Sequence, residues 1–386
     1  MSAADQPLPR SPEQDPIPLE QNSAMEASSS EKPVVVITGS GGLIGGALVP
    51  KLRQKYRVIG MDLSPPEPGD SEVDQWIGTD LTSDENVVEA FGQLKQNFGD
   101  RLASVIHLAA YYDFSGADSP LYKELTVEGT RRVLDQLQNF QVEQFMFSSS
   151  LVVMESAKLG DKLTSDSPTN ADWAYPKSKL ETEKVIYQRH GDIPALILRI
   201  AGVYDEDGHS PPICNQIKRI YEKQMESYFF PGDEDCGQSF VHREDVAECL
   251  FLAVEKRHEL PAWKTLLIGE EDVMSYEELQ DAIGQYLHGK EWPTIRIPAP
   301  VAKAGAWVMD KMASDDDANF IKPWMIDMAD QNFPIDGTEA REALGWTAKR
   351  TLRGTLAAMC ESLRRDPDRF YKINKLGTPE RSQSKA

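Results

Sequence analysis

The sequence predicts an α/β fold, a doubly wound parallel sheet with a smaller C-terminal part, and three observations carry that prediction. Short β-branched runs alternate with helical patterns from Pro33 to Ile200. The first run ends in a glycine-rich turn that opens a helix. An acidic residue, Asp62, closes the next strand twenty positions beyond the turn's middle glycine, Gly42.

The elements follow in order. Val34-Val35-Val36-Ile37 is a continuous β-branched run, as expected of a strand buried on both faces. It runs into Thr38-Gly39-Ser40-Gly41-Gly42-Leu43-Ile44-Gly45-Gly46, after which Leu43, Ile44, Ala47, Leu48 and Leu52 share one helical face. Arg57–Met61 forms the second strand, completing a βαβ unit. Ser104–Leu108 reads as a strand, Glu128 to Leu137 as a helix, and Gln144–Phe147 as a strand leading into Ser148-Ser149-Ser150. A helix over about Tyr175 to Arg189 and a strand over Ala195–Ile200 close the regular part. Beyond residue 200, Pro211-Pro212, Pro231-Gly232 and the stretch Pro293 to Pro300 punctuate shorter elements, and Ser275-Tyr276-Glu277-Glu278 is a capping-box helix start.

Composition narrows the function. The chain of 386 residues carries 41 Lys and Arg against 62 Asp and Glu, a formal charge of −21, which argues against a nucleic-acid or anionic-membrane partner. Hydrophobic residues make up 40%, enough for a sizeable core, yet no apolar run is long enough to span a membrane. Cys214, Cys236, Cys249 and Cys360 are scattered, which fits free thiols in a reducing compartment. The six histidines lack HxxxH and HExxH spacing, so no metal site is expected. Residues 1–32, rich in Pro, Ser and Glu, are expected to be a disordered leader, and acidic residues make them a poor targeting peptide. A cytoplasmic protein is the expectation.

The glycine turn points to a dinucleotide. Gly39 allows the tight turn, Gly42 lets backbone approach a pyrophosphate, and Gly45 lets helix and strand pack closely. The first helical turn at Leu43 and Ile44 presents free N–H groups to the phosphates. Asp62 would accept hydrogen bonds from ribose hydroxyls and repel a 2′-phosphate, so NAD is favoured over NADP. Tyr175-Pro176-Lys177-Ser178-Lys179 puts a tyrosine and a lysine one turn apart on a single helix face. A phenol titrates near ~10, and an adjacent ammonium is expected to lower it toward the working range. Alone, this spacing is usually a solvated helix face; behind the dinucleotide turn it becomes an acid/base candidate.

With these motifs in place, residues 33–365 resemble the extended short-chain dehydrogenase/reductase family, the NAD-dependent epimerases and dehydratases. The resemblance rests on the glycine turn, Asp62, Thr79-Asp80-Leu81, His107-Leu108-Ala109-Ala110, the serine cluster, Tyr175-x-x-x-Lys179 and Phe240–Ala247. It implies a Rossmann-type sheet, Tyr175 as general acid/base, and Lys179 as its partner and ribose ligand. It also implies a catalytic serine, for which the family's usual spacing selects Ser150, 25 residues before Tyr175. By the same resemblance Asp80 and Leu81 meet the adenine, Leu108, Ala109 and Ala110 pass beneath the cofactor, and His107 is a packing residue. The implied division is 33–205 for NAD and catalysis and 206–386 mostly for a small-molecule substrate, with a homodimer by analogy. Two positions depart from the family: Thr126 and Gly202 stand where many members carry Asn. Gly202 tilts the reading from a nucleotide-sugar substrate.

The substrate walls are less legible. Tyr111–Phe114, Asp207–Ser210 and Asp233–Asp235 are candidates, His209 reads as a solvated loop residue, and Phe320–Met325 reads as a packed late helix or lid. Lys218 and Arg219 on an expected helix are the nearest approach to a diphosphate clamp. The expected function is therefore NAD-dependent hydride transfer at a hydroxyl or carbonyl group. The alternatives are an epimerase or dehydratase with retained NAD, and a non-catalytic NAD sensor or scaffold.

Overall fold

A parallel sheet of seven strands runs through the centre of the computed structural model, in which residues 32–65, 72–113, 117–304, 326 and 329–377 are described. All of the expected leader but Lys32 lies outside those residues, as do the segment Phe320–Met325 and Phe114 of the first candidate wall. In chain order the elements begin with β1 (Val34–Thr38), α1 (Leu43–Leu52), β2 (Arg57–Asp62), β3 (Gln75–Gly78), α2 (Asp84–Phe98) and β4 (Ser104–His107). They continue with α3 (Glu128–Leu137), β5 (Phe145–Ser150), α4 (Ala174–Arg189) and β6 (Ala195–Ile200). The later part adds β7 (Gly202–Tyr204), α5 (Pro211–Tyr221), β8 (Phe240–His242), α6 (Arg243–Glu255), β9 (Trp263–Ile268), α7 (Tyr276–His288), α8 (Thr338–Leu344), α9 (Leu352–Arg365) and α10 (Pro367–Ile373).

The strand order is β9-β6-β5-β4-β1-β2-β3, every neighbouring pair parallel. This is the Rossmann order extended by one strand, with the order reversing between β1 and β4. Side chains alternate across the strands. Val35 and Ile37 join a core on one face with Leu48, Met146, Leu198 and Leu250. Val36 joins the opposite core with Ile59, Phe91, Leu134, Phe145 and Phe147. That division explains the β-branched run, because a strand covered on both faces has no polar side.

The extra edge strand β9 comes from beyond residue 205, where shorter elements were expected. It pairs with β6 along its whole length, Trp263 with Ala195 through Ile268 with Ile200. A third core, built from Tyr204, Ile217, Phe240, Ile283, Trp292 and Leu356 among others, joins α5, α7 and α9 above the strand ends. The anticipated capping box is present at Ser275: its hydroxyl accepts from the Glu278 N–H while Glu278 accepts from the Ser275 N–H. Residues Pro33–Ala386 group as one compact unit.

Candidate active site

Because β1 and β4 flank the point where strand order reverses, the loops that follow them open a crevice at the carboxyl ends of the strands. Thr38 lies in register with His107, which brings Gly39 against the Leu108–Ala110 loop. Gly39 has φ +72°, and a Cβ there would stand 2.8 Å from the Ala109 nitrogen, so only glycine fits. A Cβ on Gly45 would stand 2.4 Å from the Ser40 carbonyl oxygen. Gly45 thus lets the helix close on its own turn, a different contact from the helix–strand packing expected of it. Gly42 is the N-cap of α1, and no side chain caps that helix, so its first N–H groups, at Leu43 and Ile44, remain for an anionic ligand.

Asp62 stands over this turn, its Oδ2 accepting the Gly41 N–H at 3.2 Å and its Oδ1 the Leu63 N–H at 2.8 Å. A cavity of about 220 Å³ lies between Gly39, Gly42, Asp62, Leu81 and the Leu108–Ala110 loop. Asp80 is engaged elsewhere: its Oδ1 accepts from the N–H and hydroxyl of Thr82 at 2.9 and 2.7 Å, while its neighbours Thr79 and Leu81 line the cavity. The glycine cradle, the uncapped helix and the carboxylate together fit a dinucleotide.

A larger cavity of about 680 Å³ shares Leu108 and Ala110 with the first and continues the cleft past β5 and α4. Ser150, Tyr175 and Lys179 all line it. The three serines of β5 divide their partners. Ser148 donates to the His107 carbonyl at 3.2 Å, and Ser149 donates to Glu183, which is gripped by Arg199 at 3.1 and 2.8 Å. Ser150 is the serine whose side chain favours ionisation of the Tyr175 phenol. Lys179, one turn along α4, donates to the Ser148 carbonyl at 2.7 Å, and its Nζ lies 5.8 Å from the centroid of the Tyr175 ring. Pro176 falls in the first turn of α4, where a missing N–H costs no helical bond.

The electrostatics differ from the expectation that Lys179 would lower the phenol. Burial pushes Tyr175 up to about 12, the Ser150 side chain opposes this, and Tyr122 adds to it. Burial likewise pushes Lys179 down to about 7 against the pull of Glu183. An amine that titrates at about 7 is neutral by the pH at which this phenol ionises, so it has no positive charge left to lower it, which accounts for the correction. His107 is held between the Thr38 and Thr130 hydroxyls at 2.7 and 2.9 Å, and burial, aided by Lys179, pushes it down to about 3. It is a neutral ring stacked on Phe147, with centroids 6.0 Å apart.

Thr126, at one of the positions departing from the family, lies in a π-helical stretch, Tyr122–Val127, that precedes α3 and was not foreseen. Its hydroxyl accepts the Tyr111 N–H at 3.0 Å, so it supports the loop beside the cavity. At Gly202 the cause is steric. A Cβ there would stand 2.7 Å from the ring of Phe240, the strand partner of Gly202 in β8.

The substrate walls are assembled from distant segments. Tyr112 packs edge-on to Tyr175 at 4.9 Å and Trp173 tilts against it at 5.6 Å. His209 lines the cavity and is not merely solvated, since its Nδ1 lies 2.8 Å from Asp205 Oδ1. The acidic loop Asp233–Asp235 does not face the cavity; the wall begins at Cys236, whose N–H closes a turn onto the Asp233 carbonyl at 3.1 Å. Phe230, Tyr276 and Gln216 also line it. No local spacing marks these residues; the pairing of β7 with β8 and the packing of α5 on α7 bring them in.

With the fold and cleft established, comparison with known proteins decides the family: the model of the NAD dependent epimerase/dehydratase family matches residues 35–269. The chain belongs to that family. By the same match it is of the extended short-chain dehydrogenase/reductase type. It is 27% identical over 249 residues to short-chain dehydrogenase/reductase family 42E member 1 of Macaca fascicularis, covering 60% of each chain, less than two thirds of that relative's length. It is 27% identical over 261 residues to a putative UDP-glucose 4-epimerase of Methanocaldococcus jannaschii, covering 65% of this chain and 81% of the relative. Among solved structures, MoeE5 in complex with UDP-glucuronic acid and NAD aligns with a TM-score of 0.61 at 24% identity, covering 86% of this chain and 99% of that one. The Thermus thermophilus UDP-glucose 4-epimerase complex with NAD aligns at 0.63 and 20%, with the same coverage. Among the described residues no helix is long and apolar enough to cross a membrane.

Proposed function

We propose that this enzyme is an oxidoreductase that moves a hydride between NAD and the hydroxyl or carbonyl carbon of a small molecule, with Tyr175 as acid/base. The observation that carries the reading is the convergence of Ser150, Tyr175 and Lys179 on one cavity wall, with Lys179 held one turn from Tyr175 by the Ser148 carbonyl. Residues 33–205 would hold NAD through Gly39, Gly42, Gly45, Leu43, Ile44 and Asp62, with Leu81 and the Leu108–Ala110 loop beside it. Asp80 would act by shaping its turn. The later part, mostly 206–386, would hold the substrate.

The chemistry follows from protonation. NAD supplies the two-electron hydride chemistry at the substrate carbon. A phenol pushed up to about 12 is protonated at neutral pH, so Tyr175 enters a reduction as the acid. Its Oη proton passes to the substrate oxygen as that carbon gains the hydride, and the product is the alcohol. Ser150 donates a second hydrogen bond to the same oxygen and stabilises the charge developing there. Lys179, titrating at about 7, can carry the positive charge that balances the tyrosinate. In oxidation the same atoms run in reverse.

A second reading, epimerisation or dehydration with NAD retained through the cycle, is favoured by the resemblance to a putative UDP-glucose 4-epimerase. Against it stands the ring of Phe240, which fills the space that a side chain at residue 202 would need. Denaturing the purified protein and quantifying released nucleotide separates the two. Reversible NADH binding by a nucleotide-free protein supports the oxidoreductase; one NAD per chain supports the second reading. Tyr175→Phe tests the shared core. Turnover should fall by at least a thousandfold while NADH affinity stays within twofold, and unchanged turnover removes Tyr175 from the mechanism.

A further inference from the structure

Arg219 has no assigned task, yet its placement is unusual. It projects from α5 and lines the large cavity. Its Nε and Nη1 are shielded from solvent and have no hydrogen-bond partner. Tyr276 lies close enough to Arg219 and Gln280 to feel both, and its ring stacks on Phe230 at 3.6 Å. Gln280 accepts from Gln216 at 3.0 Å and donates to the Ser227 carbonyl at 2.6 Å, and Trp292 donates to the Ser227 hydroxyl at 3.1 Å. Glu226 is the acidic group whose field reaches the guanidinium, and it forms no ion pair with it among the described residues.

A guanidinium carries its charge at every physiological pH, and shielding two of its donors without an acceptor is costly unless an anion completes the site. Along the described cavity lining the lysine and arginine side chains are Lys179, engaged with the Ser148 carbonyl and lowered by burial to about 7, and Arg219. The other walls are largely apolar, including Leu151, Val152, Trp173, Val203, Phe240 and Phe333. Such a lining accommodates a bulky apolar body and provides one forked cation, whereas a nucleotide diphosphate with its ribose and base asks for several polar contacts.

We propose that Arg219 is the receptor for a single oxyanion, a carboxylate or a phosphate monoester, carried on an apolar substrate whose hydroxyl or carbonyl group reaches Ser150 and Tyr175. This rests on the oxidoreductase reading for the identity of the reacting end; the anion receptor is testable apart from it. The sheet-borne residues would then perform the chemistry, and the third core would select the substrate.

The test is a calorimetric titration of the full chain with 4-phenylbutyrate, 4-phenylbutyl phosphate and the neutral 4-phenylbutanol, repeated for Arg219→Met and Arg219→Lys. At least one anion should bind the unaltered protein ten times more tightly than the alcohol. Arg219→Met should erase that preference with the alcohol's affinity unchanged, and Arg219→Lys should keep part of it. Whichever anion binds tighter identifies the group as carboxylate or phosphate. An absent preference in the unaltered protein, a preference surviving Arg219→Met, or tighter binding of UDP than of either anion would each overturn the proposal. NADH titration of every variant reports whether the cofactor cleft stands. If the unaltered protein binds no NADH while the anion preference persists, the oxidoreductase reading fails and the receptor survives.

Discussion

Arg199 and Arg219 both reach inward from regular elements, and their surroundings could hardly differ more. Arg199, on β6, forks onto Glu183 at 3.1 and 2.8 Å, and Ser149 completes the carboxylate's shell. Arg219, on α5, has two donors with nothing to bind. The contrast extends only in part to their regions. On the sheet side His107 is satisfied between Thr38 and Thr130, while the Ser40 hydroxyl and the Trp76 indole N–H stay unpaired. On the cap side Arg219 holds two donors without an acceptor, and Glu270 keeps the Leu352 N–H while burial pushes its carboxyl up to about 8. Native folds rarely leave buried groups unsatisfied without a purpose. The Arg199 pair is complete as folded, and by our proposal Arg219 is completed by what it binds.

The largest expected effect breaks the Arg199 pair. Glu183→Ala strands a buried guanidinium and should lower stability by about 3–5 kcal/mol in urea unfolding. Arg219→Met, which removes a cation already lacking a partner, should leave ligand-free stability unchanged or raise it. Equal losses in the two variants would erase the distinction between the regions.

Next comes Glu270, whose carboxyl accepts the Leu352 N–H at 2.8 Å. Its folded value of about 8 exceeds the unfolded one, so the native state holds a proton that the unfolded state releases between pH 4.5 and 8. Stability from this group is therefore fully present below that window and falls as pH rises through it, by up to a few kcal/mol in order of magnitude. Glu270→Gln should flatten the decline between pH 5 and 8. Thermal unfolding of both proteins across the window checks the sign, and an unchanged slope would show that the carboxyl ionises as freely as in water.

How legible the two regions were follows from the range of the forces that build them. The sheet side was readable because its signals are local: a β-branched run such as Val34–Ile37 reports burial on both faces, and Gly39 and Gly45 report backbone contacts within a few residues or across one strand pair. Tyr175 and Lys179 stood out by their spacing on one helix, whereas Ser150 was singled out from three adjacent serines by the family resemblance. That Asp80 also holds an Asx-type turn with Thr82 through one carboxylate oxygen is a local contact the motif did not reveal. The tuning of Tyr175 was missed because burial is a property of the assembled fold, and here it outweighs the neighbouring amine. The cap side was hardest to read. Arg219 drew notice as a cation on a helix, but its isolation depends on Tyr276 and Gln280, which arrive from α7 more than fifty residues later.

Gly202 sharpens the boundary between the regions. Gly202→Asn should cost about 1–3 kcal/mol, because the added side chain meets the Phe240 ring at 2.7 Å and must displace it. Adding Phe240→Ala should recover part of the loss in a double-mutant cycle, and strict additivity would show that the two do not compete for the same space.

The smallest effect belongs to the cofactor end. Asp62 accepts the Gly41 and Leu63 N–H groups through separate oxygens, which fixes the carboxylate over the glycine turn without neutralising it. A charge held there excludes a 2′-phosphate and leaves room for two ribose hydroxyls. Asp62→Ala removes the repulsion while leaving the glycine cradle and the N-terminus of α1 intact. The ratio of NAD to NADP affinity should fall about tenfold, which corresponds to roughly 1.4 kcal/mol. The change should come from tighter NADP binding as well as weaker NAD binding, since the variant loses a repulsion for one and an acceptor for the other. A ratio that stays constant while both affinities drop would mean that Asp62 supports the turn through Gly41 and does not read the ribose, and cofactor choice would then lie in the backbone of the turn itself.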